Sequence, residues 1–190
     1  MLGHGGVVID SRVAVLAALA FGAVGCTPDH PPMPGDRLPD SEMEVVEPTG
    51  TEWSPGERIK LSELEGRPVL LDFWASWCPP CGEQHRHATE VAERYGDRIR
   101  VIGILVDDSP QNALRWLEEH VAAYPTVQEV DGRLEDAFWI PATGLPHMAL
   151  LDPNRRLVWH QLGASANGVP ENVLAQLDSI LLAHEGDSRP

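Results

Sequence analysis

The sequence predicts an α/β domain in which helices flank a mixed central sheet. Residues 68–75 and 100–108 are almost entirely apolar, which is typical of strands covered on both faces. A helical pattern follows each of these segments. Residues 148–152 and 156–163 flank a Pro-Asn-Arg turn and indicate an antiparallel hairpin. Strands that alternate with helices and end in a hairpin predict a sandwich around one mixed sheet.

The other elements follow from local signals. Ser62 is expected to cap a short helical turn within residues 59–66, after an alternating apolar stretch. Helical periodicity after Cys81 stops at Gly96. Ser109-Pro110 opens a second helix whose apolar positions extend to Val121. A short strand, a short helix and a final helix are expected at residues 124–130, 134–140 and 170–183.

Composition limits the class of protein. The chain has 190 residues, enough for one domain with appendages. Its formal net charge is −15, so nucleic acid is excluded as a partner because phosphates would be repelled.

The N-terminus resembles a bacterial lipoprotein signal. An apolar run of about a dozen residues follows Arg12, too short to span a bilayer. It ends in Ala23-Val24-Gly25-Cys26, which resembles a lipobox although leucine is usual where Ala23 stands. The interpretation is a signal peptide at residues 1–25 and lipidation of Cys26. The alternative is an ordinary secretory signal with an incidental cysteine.

A proline-rich segment follows Cys26. Residues 27–48 contain six prolines and almost no apolar periodicity. Residues 26–51 are therefore predicted to be a tether that builds no core. The domain itself is expected to begin near Glu52 and to occupy residues 52–190.

The motif that carries chemistry is Cys78-Pro-Pro-Cys81. Haem attachment is excluded because Gly82, not histidine, follows the second cysteine. A zinc site with His85 and His87 is disfavoured because these two side chains point to different faces of a helix. A purely structural disulfide would stabilise little, because so small a ring removes little chain entropy.

Redox chemistry agrees best with the surroundings of the motif. A helix is expected to start at Cys78, with Pro79 and Pro80 in its first positions. The positive end of a helix stabilises a thiolate and lowers a cysteine pKa. Cys81 lies one turn further and can close a disulfide with Cys78.

The segment DFWASWCPPC resembles the active site of the thioredoxin superfamily. Together with GLPHMALLDPNRRLVWHQLG, it resembles the membrane-anchored TlpA/ResA-like branch. The resemblance covers about residues 52–183. It implies a thioredoxin-like fold with an added N-terminal hairpin and a helical insertion after the second core strand. It also implies that Pro146 is a cis-proline whose loop binds the partner chain by strand-like hydrogen bonds.

The resemblance also implies roles for single residues. Cys78 would be the attacking thiolate, and Cys81 would resolve the mixed disulfide. Trp74 and Trp77 would line the site, and the expected substrate contacts are Trp77, Pro79, Leu145 and His147.

Two positions depart from the branch. Gln84 stands where glutamate is usual, and Asp72 stands where asparagine is usual on the central strand. Apolar neighbours on the strand predict that Asp72 is buried, not a solvated strand end. A buried carboxylate there could take the proton from Cys81. Relative to the branch, the acidic side chain of the site is therefore expected on the strand, at Asp72, and not on the helix, at position 84.

His147 raises an alternative function. Copper-carrier relatives bind metal through two cysteines and a distant histidine, so Cys78, Cys81 and His147 could form such a site. Two residues between the sulfurs, where those carriers have three, argue against it. Otherwise His147 is a rim residue that contacts substrate or tunes Cys78. His85, His87 and His160 are expected at the surface.

The predicted function is that of a thiol–disulfide oxidoreductase, lipid-anchored and facing the periplasm of a bacterial envelope. Within the branch a reducing role, such as keeping apocytochrome c thiols reduced, is commonest. Its partners would be thiol- or disulfide-bearing proteins and an upstream membrane electron donor. A monomer without cofactor or metal is expected. A peroxide-reducing role is weaker, because the threonine–cysteine pattern of those relatives is missing.

Overall fold

The structure is a computed structural model that describes residues 30–140, 144–165 and 167–187. Cys26 and the apolar run before it lie outside these residues. A seven-stranded sheet forms the centre, in the order β2-β1-β5-β4-β3-β6-β7. The strands are β1 Glu42–Glu47, β2 Arg58–Lys60, β3 Val69–Trp74, β4 Arg100–Leu105, β5 Thr126–Glu129, β6 His147–Leu151 and β7 Leu157–Leu162. The helices are α1 Cys81–Tyr95, α2 Pro110–Leu117, α3 Arg133–Ala137 and α4 Glu171–Asp187.

The sheet is mixed, as predicted. β3 pairs in parallel with β4, and β4 with β5, whereas the outer pairs are antiparallel. β3 is buried along its whole length because helices and loops cover both of its faces. Leu70 packs with α1 and α4 on one face, and Leu71 and Phe73 pack with α3 on the other. The alternation of side chains along β3 therefore decides which residues face α1.

The domain begins earlier than the sequence predicted. Glu42–Glu47 forms β1 inside the predicted tether, and Met43 is completely buried. The tether prediction was wrong here because Pro39 and Pro48 flank the strand and do not interrupt it. β1 and β2 form the expected N-terminal hairpin, with Met43 opposite Ile59.

The short turn after β2 is present, but Ser62 does not cap it. A 3₁₀ helix runs over Leu61–Leu64 without a side-chain cap. The Ser62 hydroxyl and its backbone N–H both donate to the carboxylate of Asp40 instead. Asp40 lies in the predicted tether, so the sequence pattern concealed this contact.

The helical insertion consists of α2, β5 and α3. Ser109 caps α2 as predicted, because its hydroxyl accepts a hydrogen bond from the Asn112 N–H. α2 ends at Leu117, earlier than predicted, and Val121 is 81% exposed. β5 lies between β1 and β4 and so joins the N-terminal hairpin to the parallel core.

The C-terminal hairpin of β6 and β7 and the final helix α4 are also confirmed. Within the described part of the chain, none of the helices combines the length and the apolar character needed to cross a bilayer.

Candidate active site

The two cysteines lie where β3 ends and α1 begins. The structure joins them by a disulfide, with their Cα atoms 5.4 Å apart. The helix starts at Cys81, not at Cys78 as predicted. The Cys78 N–H donates to the Ala75 carbonyl and the Cys81 N–H to the Cys78 carbonyl, so tighter i→i−3 turns precede the α-helix. Cys78 therefore lies in the turn that leads into the helix.

The disulfide is buried beneath an exposed rim. Cys78 is 3% exposed and Cys81 is fully buried, whereas Trp77 is 47% exposed. The cysteines pack in an apolar cluster with Trp74, Leu105 and other residues. Trp74 therefore lines the inner side of the pair, and Trp77 stands at the rim.

The loop that carries the cysteines is held by the loop after β4. The backbone N–H of Ser76 donates to Asp108 across 2.7 Å, and the Trp77 indole donates to the Asp107 carbonyl across 3.0 Å. Burial disfavours the ionised form of Asp108 and by itself would raise its pKa. Hydrogen bonds from Ser76, Asn112 and Ser109 nevertheless hold the pKa of Asp108 below its usual value. An ionised carboxylate thus anchors the loop.

The loop before β6 lies against the same cluster. The Leu145–Pro146 peptide bond is cis, as the resemblance implied. Leu145 packs against the apolar cluster that contains both cysteines. The Pro146 carbonyl accepts a hydrogen bond from Gly163 at the end of β7. Among the described residues, no hydrogen-bond partner is found for the main chain of Leu145.

Asp72 is buried, as predicted, and sits in a polar network. It lies on β3 on the side that faces α1. One carboxylate oxygen accepts from the Gln84 amide at 2.7 Å, and the other accepts from the Tyr124 hydroxyl at 2.7 Å. His85 Nδ1 lies 3.6 Å from the second oxygen. Both oxygens thus have hydrogen-bond donors, so the buried carboxylate is not left without partners.

A glycine makes this network possible. Gly103 on β4 pairs directly with Asp72. A Cβ atom at Gly103 would lie 2.9 Å from Trp74 Nε1 and 3.3 Å from the Tyr124 ring. No side chain fits there without displacing these rings, so glycine lets Tyr124 reach Asp72.

Tyr124 was not predicted as a site residue, and two histidines lie elsewhere than predicted. His85 and His87 are buried, not at the surface. The signal for His85 was present, because it lies one helical turn after Cys81 on the inward face of α1. Tyr124 was visible only as the start of a short strand. Burial, followed by the charge of Asp72, raises the pKa of the Tyr124 hydroxyl well above its usual value.

His147 is not a rim residue, which corrects the prediction. It is buried, and its ring contacts Phe73 and Phe138 on the sheet face opposite to α1. Its Nε2 lies 3.1 Å from Nδ1 of His160, which is half-buried. Burial, followed by the neighbouring His160, lowers the pKa of His147 to about 4. Burial also lowers the pKa of His160.

The copper-carrier alternative receives no support from this arrangement. Strand alternation places the His147 ring with Phe73, whereas Trp74 and both cysteines lie in a different cluster. Across residues 30–140, 144–165 and 167–187, no group of three or more histidine, cysteine or acidic side chains could hold a metal ion.

A mixed sheet, a cysteine pair at the start of a helix and a cis-proline beside it define a thioredoxin-like protein of the thiol–disulfide oxidoreductase class. The chain belongs to the AhpC/TSA family, whose sequence profile matches residues 34–160. That match begins before β1, in agreement with the early start of the domain.

Named relatives agree with this class. The thiol:disulfide interchange protein DsbE of Escherichia coli K12 is 29% identical over 79% of this chain and 77% of its own length. The thiol-disulfide oxidoreductase ResA of Oceanobacillus iheyensis is 24% identical over 63% of this chain, and the match spans 60% of that protein. A crystal structure assigned as a DsbE protein of Chlorobium tepidum superposes with a TM-score of 0.64 and 24% identity. That superposition covers 79% of this chain and 99% of the other.

Proposed function

We propose that this protein reduces disulfides of protein partners on the periplasmic side of a bacterial cell envelope, where a lipid on Cys26 tethers it to a membrane. The observation that carries the reaction is the Cys78–Cys81 disulfide, which lies next to the exposed side chain of Trp77. The protein partner, the direction of electron transfer and the lipid tether are proposals that go beyond the class of protein described above.

The proposed reaction has two exchange steps. The Cys78 thiolate attacks one sulfur of the partner disulfide and expels the other sulfur as a thiolate. The Cys81 thiol then loses its proton and attacks Cys78, which breaks the mixed disulfide and releases the second partner thiol. The partner gains two electrons, and the protein is left with the Cys78–Cys81 disulfide. A membrane electron donor of the thiol class restores the reduced pair.

Exposure supports Cys78 as the attacking sulfur. Of the two cysteines, only Cys78 retains any solvent contact, and the exposed side chains of Trp77 and Pro79 flank it. Cys81 is covered completely, so a partner can reach it only through Cys78. Cys78 is thus proposed to attack and Cys81 to resolve.

The loop with Leu145 and Pro146 is proposed to hold the partner chain. Leu145 has main-chain groups without a hydrogen-bond partner among the described residues, and it packs against the cysteine cluster. An extended partner segment could pair with these groups like an additional strand. Trp77 and Pro79 would supply the apolar side of this groove.

Asp72 is proposed to accept the proton of Cys81 in the second step. It lies on the α1-facing side of β3, and Gln84, three residues after Cys81, contacts it directly. Gln84 cannot itself take the proton, because a side-chain amide does not titrate.

Exchange activity tests the central proposal. The reduced protein should cleave the disulfides of insulin, and Cys78→Ala should abolish cleavage. Cys81→Ala should accumulate a mixed disulfide with the substrate. Wild-type protein that leaves both insulin and a small model disulfide intact would overturn the proposal.

The direction depends on the reduction potential of the pair relative to the compartment. A reducing role, with apocytochrome c thiols as one candidate substrate, requires a potential below that of the partner disulfide. Equilibration with glutathione or dithiothreitol buffers measures it. A potential above that of the partner would reverse the proposed direction.

The tether is tested separately. Cells grown with labelled palmitate should label the wild-type protein, and Cys26→Ala should remain unlabelled and leave the membrane fraction. Equal labelling of both proteins would show that Cys26 carries no lipid.

A further inference from the structure

A continuous series of three buried polar side chains leads from the disulfide region into the protein. The Tyr124 hydroxyl lies 2.7 Å from Asp72 Oδ2 and 2.6 Å from His85 Nδ1. His85 is only 2% exposed, and Asp72 and Tyr124 are buried as well. One hydroxyl therefore contacts both a carboxylate and an imidazole without solvent between them.

We propose that Tyr124 and His85 form a relay that carries the proton away from Asp72 when Cys81 resolves the mixed disulfide. The relay rests on the proposed function, since it acts through the proton acceptor of that reaction. Tyr124 and His85 are positioning residues in this scheme, because neither contacts the sulfur atoms.

The need for a relay follows from the burial of Asp72. In the disulfide form, both oxygens of Asp72 accept hydrogen bonds from buried side chains. In the proposed scheme, a carboxyl group that has taken the proton of Cys81 must lose it before the next turnover. Among the described residues, the side chains that contact this carboxylate are Gln84, Tyr124 and His85. Since Gln84 does not titrate, the exit runs through the Tyr124 hydroxyl.

A hydroxyl suits this task because it donates and accepts at once. Its oxygen takes the proton of Asp72 while its own proton moves to His85 Nδ1. Tyr124 stays neutral throughout, in agreement with burial and the charge of Asp72, which raise its pKa well above the usual value. An imidazole nitrogen with a free lone pair can accept a proton, and His85 Nδ1 is the nitrogen that the hydroxyl contacts. His85 is therefore the group in this series that can store the proton.

The far side of His85 faces the ring of Trp116. Its Nε2 is buried and has no hydrogen-bond partner in the described part of the chain. Its ring meets the edge of Trp116 on α2, with ring centroids 5.1 Å apart. The half-buried ring of His120 stacks on the same Trp116 at 3.8 Å. The titratable groups facing the relay are thus Asp72 from β3, Cys81 on α1, and His120 beyond Trp116.

Two substitutions separate proton transfer from a merely structural contact. Tyr124→Phe keeps the ring and removes the bridging hydroxyl. His85→Asn keeps a polar atom where Nδ1 stood, so it can still bond the hydroxyl but cannot carry a proton. A structural role predicts that His85→Asn behaves like wild type, whereas the relay predicts that it fails like Tyr124→Phe.

The experiment is a single turnover of reduced full-length protein with an aromatic disulfide whose released thiol absorbs light. The first thiol reports attack by Cys78, and the second reports resolution by Cys81. We expect both variants to release the first thiol at the wild-type rate. The second should be slower at pH 7 by about tenfold, less than the roughly 10²–10⁴-fold of a complete acid–base group, because Asp72 remains. The loss should shrink toward pH 9, where Cys81 ionises unaided.

An Asp72→Asn background provides the control. Without the acid there is no proton to relay, so neither variant should slow the second release further. An equal slowing in that background, or a wild-type second release in His85→Asn, would overturn the relay. If His85→Asn does not fold, Tyr124→Phe in both backgrounds decides the question. Wild-type protein that releases no first thiol would contradict the proposed function instead, so the two failures are distinguishable.

Discussion

The buried side-chain amide of Gln84 donates a hydrogen bond to the carboxylate of Asp72 across 2.7 Å. The branch that this chain resembles usually has glutamate at the helix position and asparagine at the strand position. Here the acid and the amide have exchanged places. Since the two positions contact each other, the exchange preserves one carboxylate–amide hydrogen bond.

The exchange predicts that the acid can be returned to the helix. Asp72→Asn should slow release of the second thiol near the low end of the roughly 10²–10⁴-fold range of acid–base catalysis. The double variant Asp72→Asn/Gln84→Glu restores one acid and one amide in contact. We expect it to recover most of the lost rate, measured from pH 6 to 9. An unchanged rate in Asp72→Asn with a loss in Gln84→Ala would place the proton carrier on the helix instead.

The start of the domain predicts a contrast between two methionines of the predicted tether. Met43 is completely buried on β1, whereas Met33 is 60% exposed. Met43→Ala should lower the free energy of unfolding by about 2–5 kcal/mol, because it leaves a cavity in the core. Met33→Ala serves as the control and should change it by less than about 0.5 kcal/mol. Urea denaturation measures the change for each variant. Equal changes would support the original prediction that the tether extends to residue 51.

The buried histidine pair predicts acid sensitivity. Burial and the neighbouring His160 lower the pKa of His147 from 6.5 to about 4. Between these values the unfolded chain binds a proton that the native imidazole does not, so stability falls as the pH drops through this window. The full shift corresponds to about 3 kcal/mol.

His147→Phe should remove that part of the pH dependence, because phenylalanine keeps a ring between Phe73 and Phe138 without titrating. The exposed His30→Phe is the control and should keep the wild-type slope. Urea denaturation at pH 7, 5.5 and 4.5 measures the slopes. Parallel curves for wild type and His147→Phe would contradict the prediction.

Glu135 predicts a pH dependence of stability opposite in sign to that of His147. Burial first, then the charges of Glu129, Asp107 and Asp136, raise the pKa of Glu135 to about 7. The native state therefore binds more protons than the unfolded chain between pH 4.5 and 7, and stability falls as the pH rises through that window.

Glu135→Gln should relieve this repulsion at high pH. We expect it to stabilise the protein at pH 8 by about 1 kcal/mol, a value reduced for solvent screening of a half-exposed group. The gain should vanish near pH 4. Glu118→Gln removes the same charge from an exposed position and should give no such gain. Equal gains in both variants would assign the effect to the overall charge.

Local patterns predicted most of the secondary structure. The parallel strands and the final helix followed from apolar runs and helical spacing, which report burial of single elements. The same approach failed at β1, where the prolines that flank a strand resembled a tether. It also placed the start of α1 at Cys78, although i→i−3 turns at Cys78 and Cys81 precede the α-helix.

The sequence by itself determined the cysteine pair and its class of chemistry, because both cysteines and their helix lie within one short segment. Only the tertiary structure decided which polar groups surround that pair. Tyr124 lies 52 residues from Asp72 along the chain, and Gly103 leaves the space in which they meet. Likewise, the sheet face that His147 occupies depends on its pairing with Phe73. Such contacts join distant segments through packing, and no local pattern records which segments will pack together.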